Sequence, residues 1–263
     1  MESGFKEAIS ISIDGSGDQN CTTIWNCFGD SIKCIKEINM PNSVGWLYSA
    51  FTEFLGFEAY DGEYKVMGLA AYGKENQQIK SALEEICSIS SDGIGYEINP
   101  KYIHYGRHTF SNRFTDDLIK LLGRNPRNSY EKIENWHKDL AFEVQTLLEK
   151  TILRLIKWAI KETGLNKICI GGVVGLNVKV NSKILKLDEV SDVFAHPLCS
   201  DTGAAAGVAL TACYIENGIR PLKLKSLALG FQEKAEEIEK LLNITKVKYT
   251  KSHNVAEEVS EYL

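Results

Sequence analysis

The chain has 263 residues, of which 44% are hydrophobic and 25% charged, with a formal net charge of -5. That is the composition of a globular chain with one large or two small domains; the acidic balance argues against a dedicated nucleic-acid surface, and no apolar run has membrane length or the form of a signal peptide. Seven cysteines, at positions 21, 27, 34, 87, 169, 199 and 213, lack CxxC spacing and are odd in number, which points to reduced thiols in a cytosolic protein.

Residues Ala8 to Ile13 place Ile9, Ile11 and Ile13 on one face with serines between them, the period of a half-buried strand. The turn Asp14-Gly15-Ser16-Gly17-Asp18 follows, then two further β-rich runs, Cys21 to Cys27 and Ser31 to Ile38. Together they predict a three-stranded antiparallel meander. The glycine turn reads as a plain hairpin, or as an anion nest made of glycine N–H groups.

Val44 to Leu55 carries Leu47, Ala50, Phe51 and Leu55 on one helical stripe, a core-facing pattern. Glu63 to Lys74 (EYKVMGLAAYGK) mixes apolar residues with glycines and predicts a packed segment rather than a solvated loop. A helix is expected over Gln77 to Ile86, an edge strand over Gly95 to Ile98 and a polar helix around Phe114 to Leu122. His104 and His108 lie four apart, a zinc-compatible spacing on a helix. Gly106 separates them, however, and the HExxH glutamate is absent, so metal binding there is the minor reading.

Tyr130 to Glu162 predicts a long helix, interrupted at most once and stopped by Gly164. Lys167 to Ile170 is then a buried strand entering Gly171-Gly172-Val173-Val174-Gly175-Leu176-Asn177, with a helix from Asn181 to Leu187. Val193 to Ala195 is a second short strand, followed by the loop HPLCSD and a helix opening at Asp201 and Thr202, either of which can cap it. The small residues of its first turn, Gly203 among them, allow a ligand or another backbone to approach closely. Two strand–loop–helix units imply parallel strands with right-handed crossovers, whose ligands gather at the carboxyl ends. The Gly171 and Asp201 turns are therefore expected on one sheet edge. Beyond Asn217-Gly218, a connector leads to an amphipathic helix (Glu233 to Leu242), a short strand (Val247 to Tyr249) and a final helix from Asn254.

The order βββαβαβα, a mixed five-stranded sheet with a helical insertion, is that of the ribonuclease-H-like, actin-like ATPase lobe of the sugar kinase, heat-shock and actin superfamily. Within it, EYKVMGLAAYGK, GGVVGLNVKVN (Gly171 to Asn181) and SDTGAAAGVAL (Ser200 to Leu210) resemble the O-carbamoyltransferases of the nodulation-factor and antibiotic-modifying type. The hairpin IDGSGD (Ile13 to Asp18) is similar to that family's DG-x-GD turn. The resemblance implies an actin-like lobe over residues 1–225, with an insertion over about 76–130, and a connector over 226–263 toward a YrdC-like domain. In the family, carbamoyl phosphate and ATP yield carbamoyl-adenylate, and the actin-like domain passes the carbamoyl group to a hydroxyl of a small-molecule acceptor. A divalent metal, commonly iron, is held there by histidines of an HHxxHA motif and by the aspartate matching Asp201.

By that resemblance Asp14, Gly15 and Gly17 line the phosphate side of the adenylate, and Gly171, Gly172 and Asn177 its phosphate or ribose edge. Gly203 joins the cofactor-binding set and Asp201 is the metal ligand. Lys65 and Tyr72 contact the acceptor or the carbamoyl group, core or surface roles being equally open. Neither HHxxHA nor the family's GPRALG segment occurs, and the Gly171 loop is one residue longer than GG-V-x-LN. The expectation is thus a cytoplasmic central excerpt of a carbamoyltransferase, inactive alone, with homodimerisation open. A tRNA threonylcarbamoyladenosine-type transferase and a non-catalytic nucleotide-binding lobe are the alternatives.

Overall fold

The computed structural model describes residues 2–105, 112–218, 223–227 and 230–262; His108 lies outside them. The chain divides into two compact units, Met1–Lys223 and Leu224–Leu263. Strands β1 (Glu7–Gly17), β2 (Asn20–Phe28), β3 (Ser31–Asn39), β4 (Cys87–Ile89), β5 (Tyr96–Ile98), β6 (Lys167–Gly171) and β7 (Asp192–Ala195) form among the described residues of the first unit. Five of them make one mixed sheet in the order β3-β2-β1-β6-β7, and β4 pairs with β5 as a separate ribbon. The three N-terminal strands are antiparallel, whereas β6 and β7 run parallel to β1 and to each other. The class is α/β. Ile9, Ile11 and Ile13, all buried, supply the alternating core face of β1.

Helices cover the sheet where their apolar stripes demand it. Helix α1 (Val44–Phe54) is buried along nearly its whole length and is capped by Ser43, whose hydroxyl accepts from Trp46 N–H at 3.1 Å. The segment at Glu63 is regular: α2 (Glu63–Leu69) runs into a 3-10 turn over Ala70–Tyr72. Helices α3 (Gln77–Ile86) and α4 (Asp116–Leu122) follow. Helix α5 (Asn135–Thr163) is continuous over 29 residues. It begins five residues later than the periodicity suggests, because Glu134 and His137 form a reciprocal capping box. It ends at Gly164, whose φ of 72° is a left-handed stop.

Three expectations are corrected, and one strand forms that the periodicity does not suggest. Helix α6 (Val178–Leu185) starts three residues before Asn181, since the Asn177 side chain caps it. Neither Asp201 nor Thr202 caps a helix: Asp201–Gly203 is a 3-10 turn entered from Ser200, and α7 (Ala204–Asn217) begins after it without a side-chain cap. Cys87–Ile89 is a strand too short to show a period. Val247 to Tyr249 carries no strand pairing. In the second unit, α8 (Ala235–Thr245) and α9 (Val255–Ser260) form, the latter capped by Asn254. Among the described residues no helix is long and apolar enough to cross a membrane.

Candidate functional site

The carboxyl ends of β1 and β6 lie side by side, with Ser12 in register with Gly171. Beyond that pair the two chains touch. Gly172 has φ 80°, and a Cβ placed on it would lie 2.2 Å from the Ile13 carbonyl oxygen, so only glycine permits this approach. One residue on, Val173 N–H donates to Asp14 Oδ2 at 3.4 Å, while Gly15 N–H donates to Asp14 Oδ1 at 2.9 Å. The loop after β7 brings Ser200 and Asp201 to the same place. The Gly171 and Asp201 turns therefore share one edge.

Here a cavity of about 490 Å³ opens, large enough for a nucleotide-sized ligand. Its floor holds Asp14, Gly15, Val173, Asn177 and Asp201, and its far wall comes from α1 and α2 through Trp46, Tyr48, Glu63 and Tyr64. Helix α1 reaches the floor because Gly45 has no side chain: a Cβ there would sit 2.6 Å from the Asp14 carbonyl oxygen. The Ser43 hydroxyl seals the joint by donating to the Gly15 carbonyl at 2.5 Å.

The far wall is held from behind. Tyr60 lines the cavity with φ 73°, a conformation unfavourable for a tyrosine. Its N–H donates to Glu63 Oε1 at 3.0 Å, and the same oxygen accepts from the Ser49 hydroxyl at 2.6 Å. The guanidinium of buried Arg113, paired with Glu53, stands 4.5 Å from the Tyr60 ring centre. The segment from α2 onward is anchored to α5 by two buried carboxylates. Asp139 accepts from Lys74 N–H at 3.0 Å and Glu143 from Asn76 N–H at 2.8 Å. Gly73 fits between them, with room for no Cβ: the Lys138 carbonyl oxygen would be 2.1 Å away. This close docking explains the last glycine of EYKVMGLAAYGK.

The cavity is acidic. Asp14, Asp61, Glu63 and Asp201 line it, and no lysine or arginine appears among the described lining residues. Burial raises the Asp14 carboxyl above its ordinary range; hydrogen bonds from Gly15 and Val173 oppose this, and the charge of Asp201 adds to it. Among the described residues there is no group of three or more histidine, cysteine or acidic side chains able to hold a metal.

Of the residues singled out from sequence, Asp14, Gly15, Asn177 and Asp201 line the cavity. Gly17, Gly171, Gly172 and Gly203 are not in its wall; Gly172 and Gly203 instead permit close backbone approach, whereas a Cβ on Gly17 or Gly171 would make only ordinary contacts. Gly203, for instance, would bring a Cβ to 1.9 Å from the Leu198 carbonyl oxygen. Lys65 and Tyr72 are exposed and stand outside the wall. His104 is not helical; its N–H donates to the Arg113 carbonyl at 2.8 Å. Trp46, Tyr60 and Glu63 lie outside the residues singled out from sequence, the first because it stands beside the apolar stripe of Leu47, Ala50, Phe51 and Leu55. Gly45 beside it was the available signal, since glycine in a helix marks close approach.

The chain is similar to proteins of a known family. Residues 1–210 match the family model described as carbamoyltransferase N-terminus. The uncharacterised protein sll1178 of Synechocystis sp. is 34% identical over 246 residues, covering 91% of this chain and 39% of that protein. Nodulation protein NolNO of Sinorhizobium fredii is 28% identical over 208 residues, 79% of this chain and 28% of its own length. Nodulation protein NolO of Bradyrhizobium diazoefficiens is 28% identical over 210 residues, 79% of this chain and 35% of its own. The chain thus spans less than half the length of each of these relatives. With its first 210 residues matched by that model, the chain belongs to the carbamoyltransferase family.

Proposed function

We propose that this chain supplies the nucleotide-facing part of an actin-like lobe in a carbamoyltransferase acting through carbamoyl-adenylate. In that reading, carbamoyl phosphate and ATP provide the adenylate. The acceptor hydroxyl oxygen bonds to the carbamoyl carbon, the bond from that carbon to the phosphate oxygen breaks, AMP leaves, and the hydroxyl proton passes to a base. The acceptor is a small molecule able to enter the cavity.

The observation that carries the reading is the convergence of Asp14-Gly15, the Val173-Val174 turn and Ser200-Asp201 on one cavity. The sheet order β3-β2-β1-β6-β7 supports the actin-like comparison. Gly15, half-buried in the cavity lining, leaves backbone open where a phosphate would lie, and Gly172, buried behind it, lets the Val173 turn reach the same cavity. Asp14 and Asp201 oppose a phosphate unless a cation stands between. Their oxygens suit a hard divalent ion, which would polarise the carbamoyl carbonyl when bound. The described residues alone do not complete such a centre, and no step is assigned to it.

The test is calorimetric titration of the 263-residue chain with AMP, the leaving half of the adenylate, with and without a divalent cation. One-to-one binding that is lost on Gly172→Ala is expected. No binding of AMP under either condition would overturn the nucleotide assignment.

A further inference from the structure

Helix α5 carries a polar residue that neither a stripe nor a motif accounts for. Gln145 is buried at 3% exposure on the helix, one turn before the buried Glu149, and its amide is hydrogen-bonded through both its oxygen and its nitrogen. Its Oε1 accepts from the Tyr48 hydroxyl at 2.9 Å and from Asn177 Nδ2 at 3.0 Å. Its Nε2 donates to Glu149 Oε1 at 2.9 Å and to Asn177 Oδ1 at 3.1 Å. Gln145 and Asn177 thus form a reciprocal amide pair, two hydrogen bonds running in opposite senses.

The orientation of that pair is determined rather than free. Glu149, also buried, ion-pairs with Lys183 of α6 at 2.6 Å and can only accept from Gln145. That fixes the Gln145 amide with nitrogen toward Glu149 and oxygen toward Tyr48. Asn177 must then turn its oxygen to Gln145 Nε2, and the same oxygen accepts from Val180 N–H at 3.1 Å to cap α6. One amide therefore ties three parts of the cavity together: α1 through Tyr48, the body of α5, and the end of the Val173–Leu176 turn. Burying Tyr48, Gln145 and Glu149 is costly unless each is satisfied, and here each is.

We propose that Gln145 is a positioning residue of this site, holding the Val173–Asn177 turn against α5 so that its backbone keeps a fixed distance from Asp14 and Tyr48. It touches no ligand itself; it acts through Asn177. The order this imposes is of the kind that lowers the entropic cost of binding. The role attributed to Asn177 changes with it. Its side chain is committed to the cap and to Gln145, so its contribution to a ligand is the placement of the turn.

The test has two arms, and only the second rests on the nucleotide reading. In the first, hydrogen exchange is followed in Gln145→Leu and in Asn177→Asp, the latter keeping the cap oxygen while opposing a carboxylate oxygen to Gln145 Oε1. Exchange at the Gly175 and Asn177 amides should rise about tenfold in both variants, with β1 and β6 amides unchanged. Unchanged exchange in the turn, or a uniform rise that includes β1 and β6, would overturn the proposal. If Gln145→Leu does not fold, Asn177→Asp decides this arm. In the second, AMP affinity should fall at least about fivefold in Asn177→Asp at an unchanged melting temperature. AMP affinity equal to that of the wild type would overturn the proposal even if exchange had risen. If the wild type itself does not bind AMP, the nucleotide assignment fails and the exchange arm alone decides for or against Gln145.

Discussion

The Asp14 carboxylate accepts from the Val173 N–H across 159 positions of sequence, at 3.4 Å. That contact joins the hairpin end of β1 to the turn after β6, and it exists because Gly172 lets two backbones meet. The neighbouring glycine plays no such part. A Cβ on Gly171 would meet nothing nearer than Ser12 Oγ at 3.8 Å, an ordinary contact, whereas on Gly172 it would strike the Ile13 backbone.

Adjacent glycines should therefore respond differently to the same substitution. Gly172→Ala combines a positive φ with a backbone clash that no rotamer relieves, and should cost at least about 2 kcal/mol in urea unfolding. Gly171→Ala should stay within about 0.5 kcal/mol of the wild type. Equal losses for the two would mean that the turn relaxes freely and that the Ile13 contact does not hold it.

Much of this was legible beforehand, for reasons visible in particular residues. Ile9, Ile11 and Ile13 alternate, and that alternation survives as the buried face of β1. Gly164 and Gly218 stop α5 and α7 with positive φ, the conformation for which glycine is suited. The meeting of the two glycine turns followed from parallel connectivity. What stayed hidden was whatever depends on partners distant in sequence. Gln145 looks like a solvated helix position until Tyr48, Glu149 and Asn177 surround it. Tyr60 is exposed as its turn position suggests, but the Arg113 guanidinium that stands over its ring comes from a distant part of the chain. The helix start at Asp201 was misread because a capping residue type was present while its cap hydrogen bond was not.

Two aspartates should give opposite pH dependences. The Asp14 carboxyl is raised above 3.8, chiefly by burial, so the folded state holds its proton more tightly than the unfolded state. Its ionisation then costs stability as pH rises from about 3.8 through the raised value. Asp92, by contrast, is held below 3.8 by Lys36 first, then by Ser90 and the Ile94 and Gly95 N–H groups. It contributes stability above its unfolded value that is lost as pH falls through the lowered one. Urea unfolding from about pH 3 to pH 7 should show Asp14→Asn gaining on the wild type with rising pH, and Asp92→Asn falling behind over the same range. Parallel curves for Asp14→Asn and the wild type would show that burial does not shift the Asp14 carboxyl.

Asp201 offers the sharpest separation between a structural and a ligand-facing carboxylate. A capping aspartate would lose about 1 kcal/mol on removal of its side chain. Here the turn over Asp201–Gly203 has no side-chain cap, and no hydrogen bond to the Asp201 carboxylate is found among the described residues. The carboxylate instead lines the cavity and repels Asp14. Asp201→Asn should therefore leave unfolding within about 0.5 kcal/mol of the wild type at neutral pH. By removing a like charge it should also move the Asp14 titration downward, which can be followed by carboxyl-carbon chemical shifts. A loss above about 1 kcal/mol would return Asp201 to a capping role, and an Asp14 titration that does not move would separate the two carboxylates that the cavity brings together.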